Sequence, residues 1–164
     1  MIVLGVDVGL RTLGYVFCKL EGLEVGLVKE GEVKPDPQKG LPEKLDYIFR
    51  ELSCKVYQYQ PKAIVAEKLY SHYRHPTTLG VLAEVRGVVA LLSHQQGIDF
   101  FEYAPTRARK SFLGRGHANS RQVQRMAENI TGRSFLSEHT ADAFSLVVAF
   151  SHAQKVERIL QKSF

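Results

Sequence analysis

Ile2-Val3-Leu4-Gly5-Val6, running into Asp7-Val8-Gly9-Leu10-Arg11, decides the reading of the fold. A short, β-branched, continuously apolar run is the pattern of a strand buried on both faces, and the segment from Asp7 onward reads as the turn that follows it. Residues 13–18 and 24–33 read as second and third strands, and the short connections between them predict a meander of hairpins. Pro35, Pro37, Gly40 and Pro42 make a loop. Leu41, Leu45, Ile48, Phe49 and Leu52 then recur at helical spacing, predicting an amphipathic helix over about 42–58 that Pro61 stops. Residues 63–66 form another buried strand, ending at Glu67. After a polar, aromatic loop over 68–76, Thr77 or Thr78 is placed to cap a long helix with Leu79, Leu82, Val85, Val89 and Leu92 on one face. Gly97 ends that helix, and 98–104 is a fifth strand. A basic segment comes next, then a helix over about 120–131 with Val123, Met126 and Ile130 inward and Gly132 closing it. A last helix starts near Ser137. The order β-β-β-α-β-α-β-α-α predicts a single α/β domain over residues 1–164: a five-stranded mixed sheet, its first three strands antiparallel, with helices on both faces.

Composition bounds the function classes. A chain of 164 residues with 45% hydrophobic and 24% charged residues can fill a core, which excludes collagen-like and disordered classes. No run of about 18 apolar residues is visible, so no transmembrane helix is expected, and Asp7 interrupts the N-terminal apolar run too early for a signal peptide. Cys18 and Cys54 form no CxxC pattern, which suits a reducing compartment; the expectation is cytoplasm. The net charge of +5 is modest. Its distribution is more informative: Arg107, Arg109, Lys110, Arg115, Arg121, Arg125 and Arg133 lie within 103–133 opposed only by Glu128, so nearly all the excess sits in one segment. A solvated basic face explains such a run unless a phosphate-handling site lies nearby.

The acids at element ends supply such a site. Asp7 ends the first strand and Glu67 the fourth. A right-handed crossover makes those strands parallel, so both carboxylates emerge at one sheet edge, where open α/β sheets bind ligands. A solvated loop carboxylate remains the plain alternative for either acid alone. His139 and Asp142 share a helical face at i and i+3. Capping explains Asp142 poorly, because it lies beyond the first turn. A cluster of Asp7, Glu67, His139 and Asp142 suits divalent cations bound through oxygens and one imidazole, and paired metals of that kind hydrolyse phosphodiesters. Gly114-Arg115-Gly116 is too short for a nucleotide-binding loop and lacks the Lys-Ser/Thr of a Walker motif.

The ordered set Asp7-Val8-Gly9, Glu67, Arg86-Gly87, Glu102-Tyr103-Ala104-Pro105, Arg109-Lys110, Gly114-Arg115-Gly116-His117-Ala118, Gln122-Val123 and His139-Thr140-Ala141-Asp142-Ala143 resembles the RuvC-type Holliday-junction resolvases over nearly the whole chain. The resemblance implies an RNase H-like fold and a homodimer. It also implies metal-dependent endonuclease action on four-way DNA junctions by paired symmetric nicks, in recombination and repair. Carried over, Asp7, Glu67, His139 and Asp142 are the catalytic and metal residues, with Mg²⁺ or Mn²⁺ as two ions per site. Where many members carry Asp, this chain carries His139, which favours Mn²⁺ or positions the attacking water. Tyr70 matches an aromatic that stacks on an unpaired base. Arg109 and Lys110 match a basic pair near the scissile phosphates, and Arg74, Arg107, Arg115 and Arg121 join them as DNA-binding residues that neutralise phosphates. Ser120 stands where the family carries Lys. The apolar stripe of the 78–95 helix supplies a dimer surface or packs on the sheet, and the resemblance leaves room for a branch-migration helicase as a partner, which the sequence itself does not decide. Rival readings are a non-catalytic junction binder, an RNase H-like nuclease of ribosomal RNA ends, and a sugar-kinase-like domain, which the length opposes.

Overall fold

In the computed structural model, residues 1–9, 11–22, 24–69 and 75–162 are described, with the backbone alone over 156–162. Five strands form one sheet in the order β3-β2-β1-β4-β5: β1 (Ile2–Asp7), β2 (Leu13–Glu21), β3 (Glu24–Val33), β4 (Ala63–Glu67) and β5 (Asp99–Tyr103). The β1–β2 and β2–β3 pairs are antiparallel, and the β1–β4 and β4–β5 pairs are parallel. This is the predicted mixed sheet, and β1 is buried from Val3 to Asp7 because both faces are covered. Alternation splits its side chains between two cores. Leu4 and Val6 meet Ile48 and Leu52 of α1 (Leu41–Tyr59) with Leu82 and Val89 of α2 (Pro76–Gln95). Val3, on the opposite face, lies in a core with Ala108 and Phe112 of α3 (Pro105–Leu113), Val123 of α4 (Ser120–Thr131) and Phe144 and Val147 of α5 (Glu138–Lys162).

Four local expectations need correction. First, α3 was read only as part of the basic segment. Its one apolar pair, Ala108 and Phe112, buries a narrow stripe, while Pro105 starts the helix and Gly114 ends it at φ 76°. Second, α2 begins at Pro76 behind His75, with no side-chain cap, so neither Thr77 nor Thr78 caps it. Third, Ile130 points outward with 55% exposure, and Ala127 takes the inward place beside Val123. Fourth, α2 is by length and composition long and apolar enough to cross a membrane. Its inner residues Leu82, Val85, Val89 and Leu92 are core, which accounts for the apolar count on that side. Its outer face carries Gly80, Glu84, Gly87 and Leu91.

Two glycines set the position of α5. A Cβ on Gly5 would collide with the Ala143 carbonyl and lie 2.7 Å from Val147. A Cβ on Gly14 would lie 2.6–2.7 Å from the backbone and Cβ of His139. Only glycine lets the helix rest directly on β1 and β2.

Candidate active site

The register of the central strands places the first two acids. Val6 pairs with Ala66 across the parallel β1–β4 ladder, so Asp7 and Glu67, one residue further on, emerge side by side at the carboxyl edge. The close seat of α5 on Gly14 brings the other two groups to that edge. Ser137 caps α5: its hydroxyl accepts from the Thr140 amide at 3.3 Å, and its own amide donates to the Thr140 hydroxyl at 3.2 Å. His139 follows in the first turn and donates from Nδ1 to Asp7 Oδ2 at 2.7 Å. Asp142 lies nearly one turn further along the same face.

Asp7 is 7% exposed and His139 is the more open partner. The hydrogen bond to Asp7 raises the His139 imidazole above its ordinary value against the opposing effect of burial, and the charges of Asp7, Glu32 and Asp142 add to the rise. Burial raises the Asp142 carboxyl, and repulsion from Asp7 adds to it. Ser120 and Arg109 oppose that shift: Ser120 Oγ donates to Asp142 Oδ2 at 2.6 Å, and Arg109 Nη2 lies 3.5 Å from both carboxylate oxygens. The Arg109 fork is otherwise spent on the Ala118 carbonyl at 2.8 Å and on Ser120 Oγ at 3.1 Å. Glu67, Arg109, Asp142 and Ser145 line one cleft.

Sequence reasoning missed two polar groups here. In the sequence Ser120 is only a departure from a lysine, yet its hydroxyl links Arg109 to Asp142. Glu32 on β3 had no signal, since its surroundings alternate like any half-exposed strand. Its side chain is 10% exposed and lies 2.5 Å from Lys34. Burial pushes its carboxyl up, but hydrogen bonds from Lys34 and Ser137, together with the charges of Lys34 and His139, carry it below the usual range.

The other predicted residues fall as follows. Tyr70 and Arg74 lie outside the described residues. Lys110, Arg115 and Arg121 are exposed; Arg121 faces Glu138 at 3.6 Å, and Arg107 sits 5.0 Å over the Tyr103 ring. Among the described residues no three His, Cys, Asp or Glu side chains are drawn together as a ready-made metal cage. The donor set nonetheless fits a divalent cation. Three carboxylates and an imidazole share the edge, and the Asp7–Asp142 repulsion that raises Asp142 is a cost such a cation removes. Waters and substrate phosphate oxygens complete an open site of this kind.

Comparison with known proteins places this geometry. Residues 3–152 match the family model of crossover junction endodeoxyribonuclease RuvC. The chain is 30% identical over 165 residues to the crossover junction endodeoxyribonuclease RuvC of Syntrophomonas wolfei, spanning 99% of this chain and 95% of that one. It is 33% identical over 156 residues to the protein of the same name from Chlamydia trachomatis, spanning 92% and 91%. Its fold is similar to the Thermus thermophilus RuvC structure, with a TM-score of 0.83 at 24% identity, covering 94% of this chain and 96% of that one. The similarity extends to T. thermophilus RuvC in complex with Holliday junction substrate, with a TM-score of 0.83 at 21% identity and the same coverage.

Proposed function

Since the chain belongs to the RuvC family of crossover junction endodeoxyribonucleases, we propose that Asp7, Glu67, His139 and Asp142 are the groups with which it hydrolyses phosphodiesters at four-way DNA junctions. It is a structure-selective nuclease of recombination and repair, with the RNase H-like fold. The observation that carries the site assignment is the convergence at one sheet edge: Asp7 bonded to His139, Glu67 beside Asp7, and Asp142 on the same face of α5. No observation favours a non-catalytic junction binder or a nuclease of ribosomal RNA ends.

Asp7, Glu67 and Asp142, with His139, hold divalent cations, Mg²⁺ or Mn²⁺ and two per site. When bound, these supply Lewis-acid stabilisation of the phosphate and ease deprotonation of the attacking water. The protein does the rest. Asp7 fixes the His139 ring through Nδ1, which leaves Nε2 to face the cations. Ser120 fixes the Asp142 carboxylate, and Arg109 places a cation beside the cleft where the scissile phosphate docks. Lys110, Arg115 and Arg121 neutralise flanking phosphates and set affinity without reading bases. Tyr70 stacks on a junction base, and Arg74 and Arg107 contact the arms.

Paired symmetric nicks require two sites, hence a homodimer with two-fold symmetry. The outer face of α2 supports that reading: a Cβ added at Gly80 or Gly87 would meet nothing within 4 Å, and Leu91 is 51% exposed. Action on DNA in the cytoplasm, beside a branch-migration helicase, completes the assignment. The test is cleavage of a synthetic mobile four-way junction against a linear duplex of the same sequence, with Mg²⁺, with Mn²⁺ and with chelator. Paired nicks confined to the junction and requiring a divalent ion are expected, with Mn²⁺ at least as effective as Mg²⁺. Equal cutting of the duplex contradicts the assignment.

A further inference from the structure

Glu32 has no role in the hydrolysis outlined above, yet it stands in the same row of the sheet as Asp7. Asp7 pairs with Gly14 across β1–β2, and Gly14 pairs with Glu32 across β2–β3. Directly paired residues point to the same face, so Asp7 and Glu32 flank a gap where Gly14 has no side chain. Two strand spacings separate their backbones, about 10 Å. His139 occupies that gap, close enough that a Cβ on Gly14 would lie 2.7 Å from its own Cβ. The imidazole is therefore bracketed by Asp7 on one side and Glu32 on the other.

The strand that carries Glu32 is also tied to the residues just before the helix of His139, because the neighbouring Glu30 accepts from the Leu136 amide at 3.0 Å. The solvent-side partner of Glu32, Lys34, is 63% exposed, whereas Glu32 itself is 10% exposed. Lys34 offsets part of the carboxylate charge, and Glu32 is the member of the pair that lies in the row with Asp7 and Gly14. An imidazole at position 139 gives the cation site one negative charge fewer than a carboxylate there.

We propose that Glu32 is a positioning residue of the nuclease centre, which acts through His139 by holding the ring over Gly14 and restoring the negative charge that the imidazole withholds. The proposal rests on the assignment of His139 to the cation site.

The experiment measures three quantities for Glu32→Gln and Glu32→Asp, each in the native chain and in the His139→Asp background. They are the half-saturating Mg²⁺ concentration for junction nicking, junction affinity without metal, and, where His139 is present, its ring ¹⁵N shifts in the metal-free protein. Glu32→Gln should raise half-saturating Mg²⁺ about tenfold, the lower end of what partners of metal ligands cost. Metal-free junction affinity should be unchanged and the ring shifts displaced. Glu32→Asp keeps the charge and should stay near the native value. In the His139→Asp background, Glu32→Gln should cost nothing, because the charge is already supplied. The same penalty in both backgrounds, or native Mg²⁺ dependence with unmoved ring shifts, overturns the proposal. Lys34→Met leaves the carboxylate in place and covers the case in which Glu32→Gln does not fold. It should lower half-saturating Mg²⁺, and an unchanged or higher value counts against Glu32. Native nicking and Mg²⁺ dependence in His139→Ala would instead remove the underlying site assignment, and the Glu32 role with it.

Discussion

Ser120 donates its hydroxyl to Asp142 at 2.6 Å, joining the first turn of α4 to the face of α5 that carries His139 and Asp142. The bond matters because Asp142 is mostly buried and its carboxyl is raised by that burial. Hydrogen bonds to charged groups contribute about 1.5–3 kcal/mol, and leaving a buried acceptor unmatched costs a similar amount. Ser120→Ala should therefore lower the melting temperature by about 2–4 °C for each kcal/mol lost in a chain of this size. It should slow nicking more than it weakens junction binding, which parallel melting, cleavage and binding measurements on the variant would read.

Arg109 and the exposed cations of the same segment should separate by their salt behaviour. Arg109 is held against Asp142, Ser120 and the Ala118 carbonyl, whereas Arg115 is free to meet phosphate at the surface. Arg115→Ala should reduce the slope of log K against log salt by about 1 with little effect on the rate at saturation. Arg109→Ala should leave most of the slope and lower the saturated rate, by about 10²-fold if it aids the transition-state charge. Junction binding over a salt series, paired with single-turnover nicking, distinguishes the two.

Titration of Asp142 and His139 should cost the metal-free protein stability as pH rises. The Asp142 carboxyl is raised in the fold, so its contribution is complete below its unfolded value of 3.8 and is lost as pH climbs through the folded value. The His139 imidazole is raised as well, so its contribution is complete below 6.5 and is lost as pH climbs through its folded value. A divalent cation relieves the carboxylate repulsion and competes with the imidazole proton. Melting curves should therefore show a larger Mg²⁺-induced rise at about pH 8 than at about pH 5.5. An equal rise at both would contradict this balance of charges.

Gly14 offers a test of placement. A methyl group there would meet the His139 backbone at 2.6 Å, so Gly14→Ala must push the start of α5 away from the sheet. A displacement near 1 Å of catalytic groups can cost about 10²-fold in rate. Gly14→Ala is expected to nick at least that much more slowly while still binding the junction, as gel-shift and cleavage assays on one preparation would show.

Much of this arrangement was legible in the chain itself. Asp7 and Glu67 could be placed because each closes an uninterrupted apolar run, and two such runs joined through a helix imply a parallel pair with both acids at one edge. His139 and Asp142 followed from helical spacing. Contacts that depend on how elements pack stayed hidden. The Ser120–Asp142 bond needs the angle between α4 and α5, and Glu32 enters only through strand register across Gly14. The α3 helix was obscured because Ala108 and Phe112 are its only buried apolar side chains among basic neighbours. The outward turn of Ile130 came from Ala127, a residue too small to stand out in a hydrophobic pattern.

Asp7 is the proposed anchor of the nuclease centre: it holds His139 at 2.7 Å at the sheet edge where Glu67 also emerges. Asp7→Asn keeps the shape and removes the charge, so the deciding measurement is strand cleavage of a mobile four-way junction by this variant under saturating Mg²⁺, with junction binding measured alongside. Undetectable nicking with junction affinity retained is expected from the Asp7 assignment. Paired nicks at the native rate would contradict it.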